Sequence, residues 1–147
     1  MAVVLIIDDS PTELHLFQNM LEKAGFDTLV ADSGEEGIRQ AITSRPDCIL
    51  MDVVMPGMNG FQATRKLTKD PATESIPVIM ITTKDQETDK IWGIRQGAVE
   101  YLVKPVADSE LDAKIHSVMA ASGGWFYRTR SSGRSEERRV GLGGGCG

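Results

Sequence analysis

The stretch Cys48-Ile49-Leu50-Met51-Asp52-Val53-Val54-Met55-Pro56-Gly57 leaves this chain few folds to choose from. A short apolar run stops on a carboxylate and passes straight into a Pro/Gly turn. Such a run suits a strand covered on both faces, as in parallel sheets between helical layers. An acid at its end is aimed at the C-terminal edge of the sheet, where open α/β folds bind ligands. Three other apolar runs end in the same way. Asp8-Asp9 follows residues 3–7, Thr82-Thr83 follows 78–81, and Lys104-Pro105 follows 101–103. Converging at one edge, these ends bring three carboxylates, a hydroxyl and an ammonium into one crevice.

Helical patterns fill the intervals. Ser10-Pro11-Thr12-Glu13 reads as a capping box with proline at the first helical position, followed by Leu14, Phe17, Leu21 and Ala24 at helical spacing. Gly25 stands where a C-terminal cap belongs. Residues 26–31 form a second strand, and Ser33-Gly34-Glu35-Glu36 a second capping box. That box opens a helix with Ile38, Ala41 and Ile42 on one face, stopped by Pro46. Residues 47–51 are the third strand. Gly60 precedes a helix carrying Phe61, Thr64 and Leu67. Asp85 is expected to cap a helix running to Gln96 with Gly97 after it, residues 99–103 form the fifth strand, and Asp108 is expected to cap the last helix, with Leu111, Ile115 and Val118 on one face. Five strand–helix units with short connections imply right-handed crossovers and a parallel sheet with helices on both faces. Periodicity alone does not give the strand order.

The pattern ends near Ser122. Residues 1–122 are expected to form one domain. Residues 123–147, rich in Gly, Ser and Arg, read as an extension without folded structure or as appended sequence. The alternative is a basic peptide whose Trp125-Phe126-Tyr127 binds a partner or membrane. Five arginines against two glutamates give this tail +3, so the other 122 residues carry −8 of the net −5. An acidic body argues against nucleic acid as its partner. No apolar run approaches the ~20 residues that span a bilayer, so no membrane insertion is expected. The chain runs from Met1 directly into a strand, without the basic region of a signal peptide. Cys48 and Cys146 lie far apart, which disfavours a disulfide framework and fits a cytoplasmic location. Cys48, inside a strand, is expected to be an inert buried thiol.

Asp8, Asp9 and Asp52 supply hard oxygen ligands suited to Mg²⁺, a cation that binds through one or two carboxylates, waters and phosphate oxygen. Lys104 offers a compact positive charge and Thr82 a hydroxyl donor for phosphoryl oxygens. The set supports transfer of a phosphoryl group to Asp52, with stabilisation that is mainly electrostatic. His15 and His116 have no metal-ligand partner at useful spacing, and Met51, Met55 and Met58 read as packing residues.

In this order, Asp8-Asp9, Asp52 with Met55-Pro56-Gly57 and Gly60, Thr82 and Lys104-Pro105 resemble the receiver domains of bacterial response regulators. The resemblance covers residues 2–121. It implies a flavodoxin-like, doubly wound five-stranded sheet of order 2-1-3-4-5. It implies Asp52 as the phosphoacceptor, with Mg²⁺ bound by Asp9, Asp52 and the backbone carbonyl of Val54, Asp8 assisting. A cis peptide at Lys104-Pro105 is implied too. The donor would be a sensor histidine kinase (CheA-like) or a phosphotransfer protein. Thr82 and Tyr101 would be the switch residues, the ring turning inward when Thr82 is drawn to the phosphoryl group. Residues 61–70 and 82–90, with Asp9-Ser10-Pro11-Thr12-Glu13, look like the regulators of type IV pilus twitching motility. Thr83 departs from the family's usual small residue at that position. With no output module in view, the expected output is protein contact or competition for kinase phosphate. Two other classes stay open from the residues alone. One is a small phosphatase with an Asp nucleophile, weakened by Val54 where such enzymes carry a second acid. The other is an interaction module with inert acids.

Overall fold

The computed structural model describes residues 2–122, and the expectations for residues 123–147 lie outside them. Five strands and five helices alternate: β1 (Val3–Ile7), α1 (Pro11–Lys23), β2 (Asp27–Ala31), α2 (Gly34–Ser44), β3 (Cys48–Met51), α3 (Gly60–Lys69), β4 (Val78–Thr82), α4 (Glu87–Gln96), β5 (Glu100–Val103) and α5 (Asp108–Ser122). All strand pairs are parallel, in the order β2-β1-β3-β4-β5. This is the expected doubly wound α/β sheet.

Side chains alternate across each strand and so build two cores. Val4, Ile6, Leu50, Ile79 and Ile81 face one way and pack with Phe17 and Leu21 of α1 and Leu111 and Ile115 of α5. Leu5, Ile7, Ile49, Met51, Val78 and Met80 face the other way, with Ala41 of α2 and Ala63 and Leu67 of α3. The central strands β1, β3 and β4 are therefore apolar on both faces, which explains why their sequence shows continuous rather than alternating hydrophobicity.

Local chemistry differs from expectation at several helix ends. The hydroxyls of Ser10 and Ser33 accept from the N–H groups of Glu13 and Glu36, but neither forms the reciprocal half of a capping box. Glu36 is drawn away by Arg39 and Gln40. A complete box occurs instead at Asn59 and Gln62, opening α3, at 2.9 Å in both directions. Asp85 does not cap α4; Gln86 holds that position without a side-chain cap bond. Asp108 is the first residue of α5. Ile42 is 42% exposed, so the buried face of α2 is carried by Gly34, Gly37 and Ala41. Cys48 is fully buried, and burial, followed by the charge of Asp47, pushes its thiol up to about 12.

Candidate phosphoacceptor site

The polar ends of the strands are pinned by backbone bonds that continue the sheet for one more residue. Asp8 N–H donates to Ala31 O at 3.1 Å, Asp52 N–H to Ile7 O at 2.9 Å, and Lys104 N–H to Thr82 O at 2.8 Å. β1 and β3 are neighbours in register, Ile7 opposite Met51, so Asp8 and Asp52 emerge side by side. A carboxylate oxygen from each of Asp8, Asp9 and Asp52 lies within 4.8 Å of the others. Asp8 is 3% exposed and Asp52 9%, whereas Asp9 is exposed.

Lys104 reaches across from the end of β5. Its ammonium lies 3.0 Å from Asp8 Oδ2, 3.2 Å from Glu13 Oε1 and 3.8 Å from Asp52 Oδ1. The Lys104-Pro105 peptide is cis. Burial on its own would lower the Lys104 ammonium. The hydrogen bond to Asp8 and the charge of Asp52 outweigh it and hold the group above its ordinary value. Asp52 is pushed the other way from an ordinary acid, up to about 6, by burial and then by the negative charge of Asp8; Lys104 and the Val53 N–H oppose the shift. Three acids, Asp8, Glu13 and Asp52, thus share one ammonium with Asp9 close by, and the least hydrated pair, Asp8 and Asp52, repel each other. Such a cluster matches a divalent cation, which would relieve both costs.

The fourth acid of this cluster, Glu13, was not legible as a site residue. Its spacing from Ser10 reads as a cap, and only the fold brings it to Lys104. Thr82 is wholly buried at the end of β4, and its Oγ1 accepts from Lys84 N–H at 3.3 Å. Tyr101 O–H donates to Lys84 O at 2.9 Å, and its ring lies against α4 at Gly93. Burial, then Asp89 and Asp85, push the Tyr101 phenol up to about 12. Val54 is 58% exposed beside the site, and Thr83 is exposed.

Gly60 is fixed here by close approach. A Cβ on it would stand 2.1 Å from Asp52 O and 2.8 Å from Val53 Cα, both backbone atoms that cannot step aside. Gly60→Ala is therefore expected to displace the loop after Asp52 and to cost about 2 kcal/mol or more of stability, read by urea unfolding. Wild-type stability in that variant would mean that the α3 start and the β3 end move independently.

Residues 4–116 match the model of the response regulator receiver domain. The chain belongs to this family: it is a receiver domain of the kind used by two-component response regulators, a signalling switch rather than a classical enzyme. It is 58% identical over 120 residues to Protein PilH of Pseudomonas aeruginosa, covering 82% of this chain and 99% of that protein. Several curated transcriptional regulators match as well, and the chain spans about half of their length. Among solved structures, chemotaxis protein CheY4 of Vibrio cholerae superposes with a TM-score of 0.76 at 32% identity, covering 80% of this chain and 98% of that one. The receiver domain of a sensor histidine kinase from P. aeruginosa, with a magnesium ion coordinated in its active-site cleft, gives 0.76 at 26% identity, covering 81% and 98%. Receiver domains take phosphoryl groups from histidine kinases and bind Mg²⁺ at an acidic site. No helix among the described residues is long and apolar enough to cross a membrane.

Proposed function

We propose that Asp52 is the phosphoacceptor of a single-domain response regulator. The observation that carries this is the placement of one nearly buried carboxylate between two further acids and the Lys104 ammonium at a sheet edge. A carboxylate oxygen of Asp52 attacks the phosphorus of the donor and forms the new P–O bond. In a phosphohistidine donor the P–N bond breaks, and the ring nitrogen keeps the electron pair. Lys104 compensates charge on the phosphoryl oxygens, and the Thr82 hydroxyl donates to one of them. Asp8, Asp9, Asp52 and the Val54 carbonyl would hold Mg²⁺, which supplies charge neutralisation between the acids and the phosphoryl group.

The likeness to PilH and to a chemotaxis protein supports a role in type IV pilus twitching motility or chemotaxis-like signalling in the cytoplasm. The donor is then a CheA-like sensor kinase or a phosphotransfer protein. Output is by contact with another protein or by draining kinase phosphate. Signal transmission uses a continuous hydrogen-bonded path: Thr82 Oγ1 accepts from Lys84 N–H, and Lys84 O accepts from Tyr101 O–H. Drawing Thr82 toward a phosphoryl group pulls on Lys84, and through it on Tyr101 and α4.

Incubation with acetyl phosphate and Mg²⁺, followed by intact mass, tests the reading. One phosphoryl group is expected to add, and chelation of Mg²⁺ to prevent it. No mass gain over hours at millimolar donor would refute the assignment.

A further inference from the structure

We propose that Glu13 is a positioning residue for phosphoryl uptake, holding the Lys104 ammonium toward α1 until a phosphoryl group takes it. The inference rests on Asp52 as acceptor.

Its starting point is the half-formed capping box. In a complete box the Glu13 carboxylate would accept from the Ser10 N–H. That N–H is already taken by Asp8 Oδ1 at 2.9 Å. Asp8 thus uses one oxygen on Ser10 and the other on Lys104 at 3.0 Å. Glu13, released from the cap, turns to Lys104 at 3.2 Å. Phe17, one turn further along the same face of α1, has its ring centroid 5.8 Å from the ammonium. The contacts of Lys104 are therefore weighted toward Asp8 and α1. Asp52, at 3.8 Å, lies beyond hydrogen-bond reach.

Phosphoryl uptake requires that ammonium to serve oxygens carried on Asp52. Moving there gives up the Glu13 pair, so Glu13 raises the cost of uptake and favours the unphosphorylated arrangement. Its negative charge also opposes an anionic donor, but that effect depends on charge alone and not on reach. Shortening the side chain separates the two. Glu13→Asp keeps the charge and withdraws the carboxylate by one methylene.

The test compares the parent, Glu13→Gln and Glu13→Asp. With acetyl phosphate, Asp52 gains the phosphoryl group, the P–O bond to the acetyl oxygen breaks, and acetate leaves with the electron pair. Both variants are expected to label roughly three- to fivefold faster than the parent, the range set by the worth of a partly exposed ion pair. In the metal-free protein, the ¹⁵N signal of the Lys104 ammonium should shift in both variants, while the melting temperature falls by no more than about 5 °C, the cost of losing the same pair. A parent-like or slower rate in Glu13→Gln would overturn the proposal. So would parent behaviour in Glu13→Asp, which would leave only the general charge effect. A fall in melting temperature with no change in rate or in the Lys104 signal would make Glu13 merely structural. Absence of label in the parent would instead sink the reading of Asp52.

Discussion

Asp52→Asn is expected to abolish phosphoryl uptake and to stabilise the metal-free protein at neutral pH. The carboxyl titrates at about 6 in the fold against an ordinary 3.8, because burial and Asp8 disfavour its charge. Between those values the folded state binds more protons than the unfolded one. Stability therefore falls as pH rises through that window, and the full penalty is present above about pH 6. At 1.36 kcal/mol per pH unit, the penalty removed by asparagine is on the order of 1–3 kcal/mol. As pH falls from about 6 toward 4 the folded acid is protonated first, so the gain should shrink steadily across that window and vanish only well below the ordinary 3.8. Urea unfolding of both proteins across pH 4 to 8 measures the difference. An Asn variant that still gains one phosphoryl group would assign the acceptor to another acid. One that is no more stable than the parent at neutral pH would mean that solvent already screens the carboxylate.

Lys104→Met should do the opposite on stability and should weaken uptake without abolishing it. The ammonium is the one cation within 4.0 Å of Asp8, Asp52 and Glu13 among the described residues, and Asp8 and Asp52 are nearly buried. Removing one partner of such a cluster leaves its charges unpaired, at about 2–4 kcal/mol. The loss is largest at neutral pH, where Asp52 is ionised, and shrinks as Asp52 is protonated below about pH 6. Uptake from acetyl phosphate should fall about a hundredfold, the usual effect of deleting one preorganised charge stabiliser. Added Mg²⁺ should restore part of the stability, since it neutralises the same carboxylates. A stability change below about 0.5 kcal/mol would place this cluster with ordinary surface pairs.

The residues that ended strands were legible because a polar group after a continuous apolar run has few structural reasons to be there. Asp8, Asp9, Asp52, Thr82 and Lys104 all come from that one pattern, and the fold gathers them at one edge. The strand order was not in the periodicity; it came with the family resemblance, because register reports neighbours only after the chain has folded. Local signals failed where a distant group outcompeted them. Glu13 reads as half of a cap but answers to Lys104, and Glu36 reads as a cap but is drawn to Arg39. The box at Asn59 and Gln62 was obscured by Gly60, whose reason for being there is its contact with Asp52 O. Tyr101 was expected to swing on phosphorylation; its bond to Lys84 O shows what the ring would carry with it.

The Asp8–Lys104 pair joins positions 96 residues apart, and β5 is the last strand in chain order. During synthesis, a chain that has emerged only through α4 already contains the acids that follow β1 and β3 and Glu13 of α1, but not the residue that neutralises them. Such non-local contacts form late, after the entropy of closing long loops has been met. A chain ending after α4 would therefore carry a self-repelling edge as well as a β4 without its β5 neighbour. Docking of β5 cures both faults in one step, by completing the sheet and delivering the ammonium. The edge that gathers these acids is thus a point where a truncated chain would be penalised: the carboxylates that pair with Lys104 in the complete fold would face one another without it.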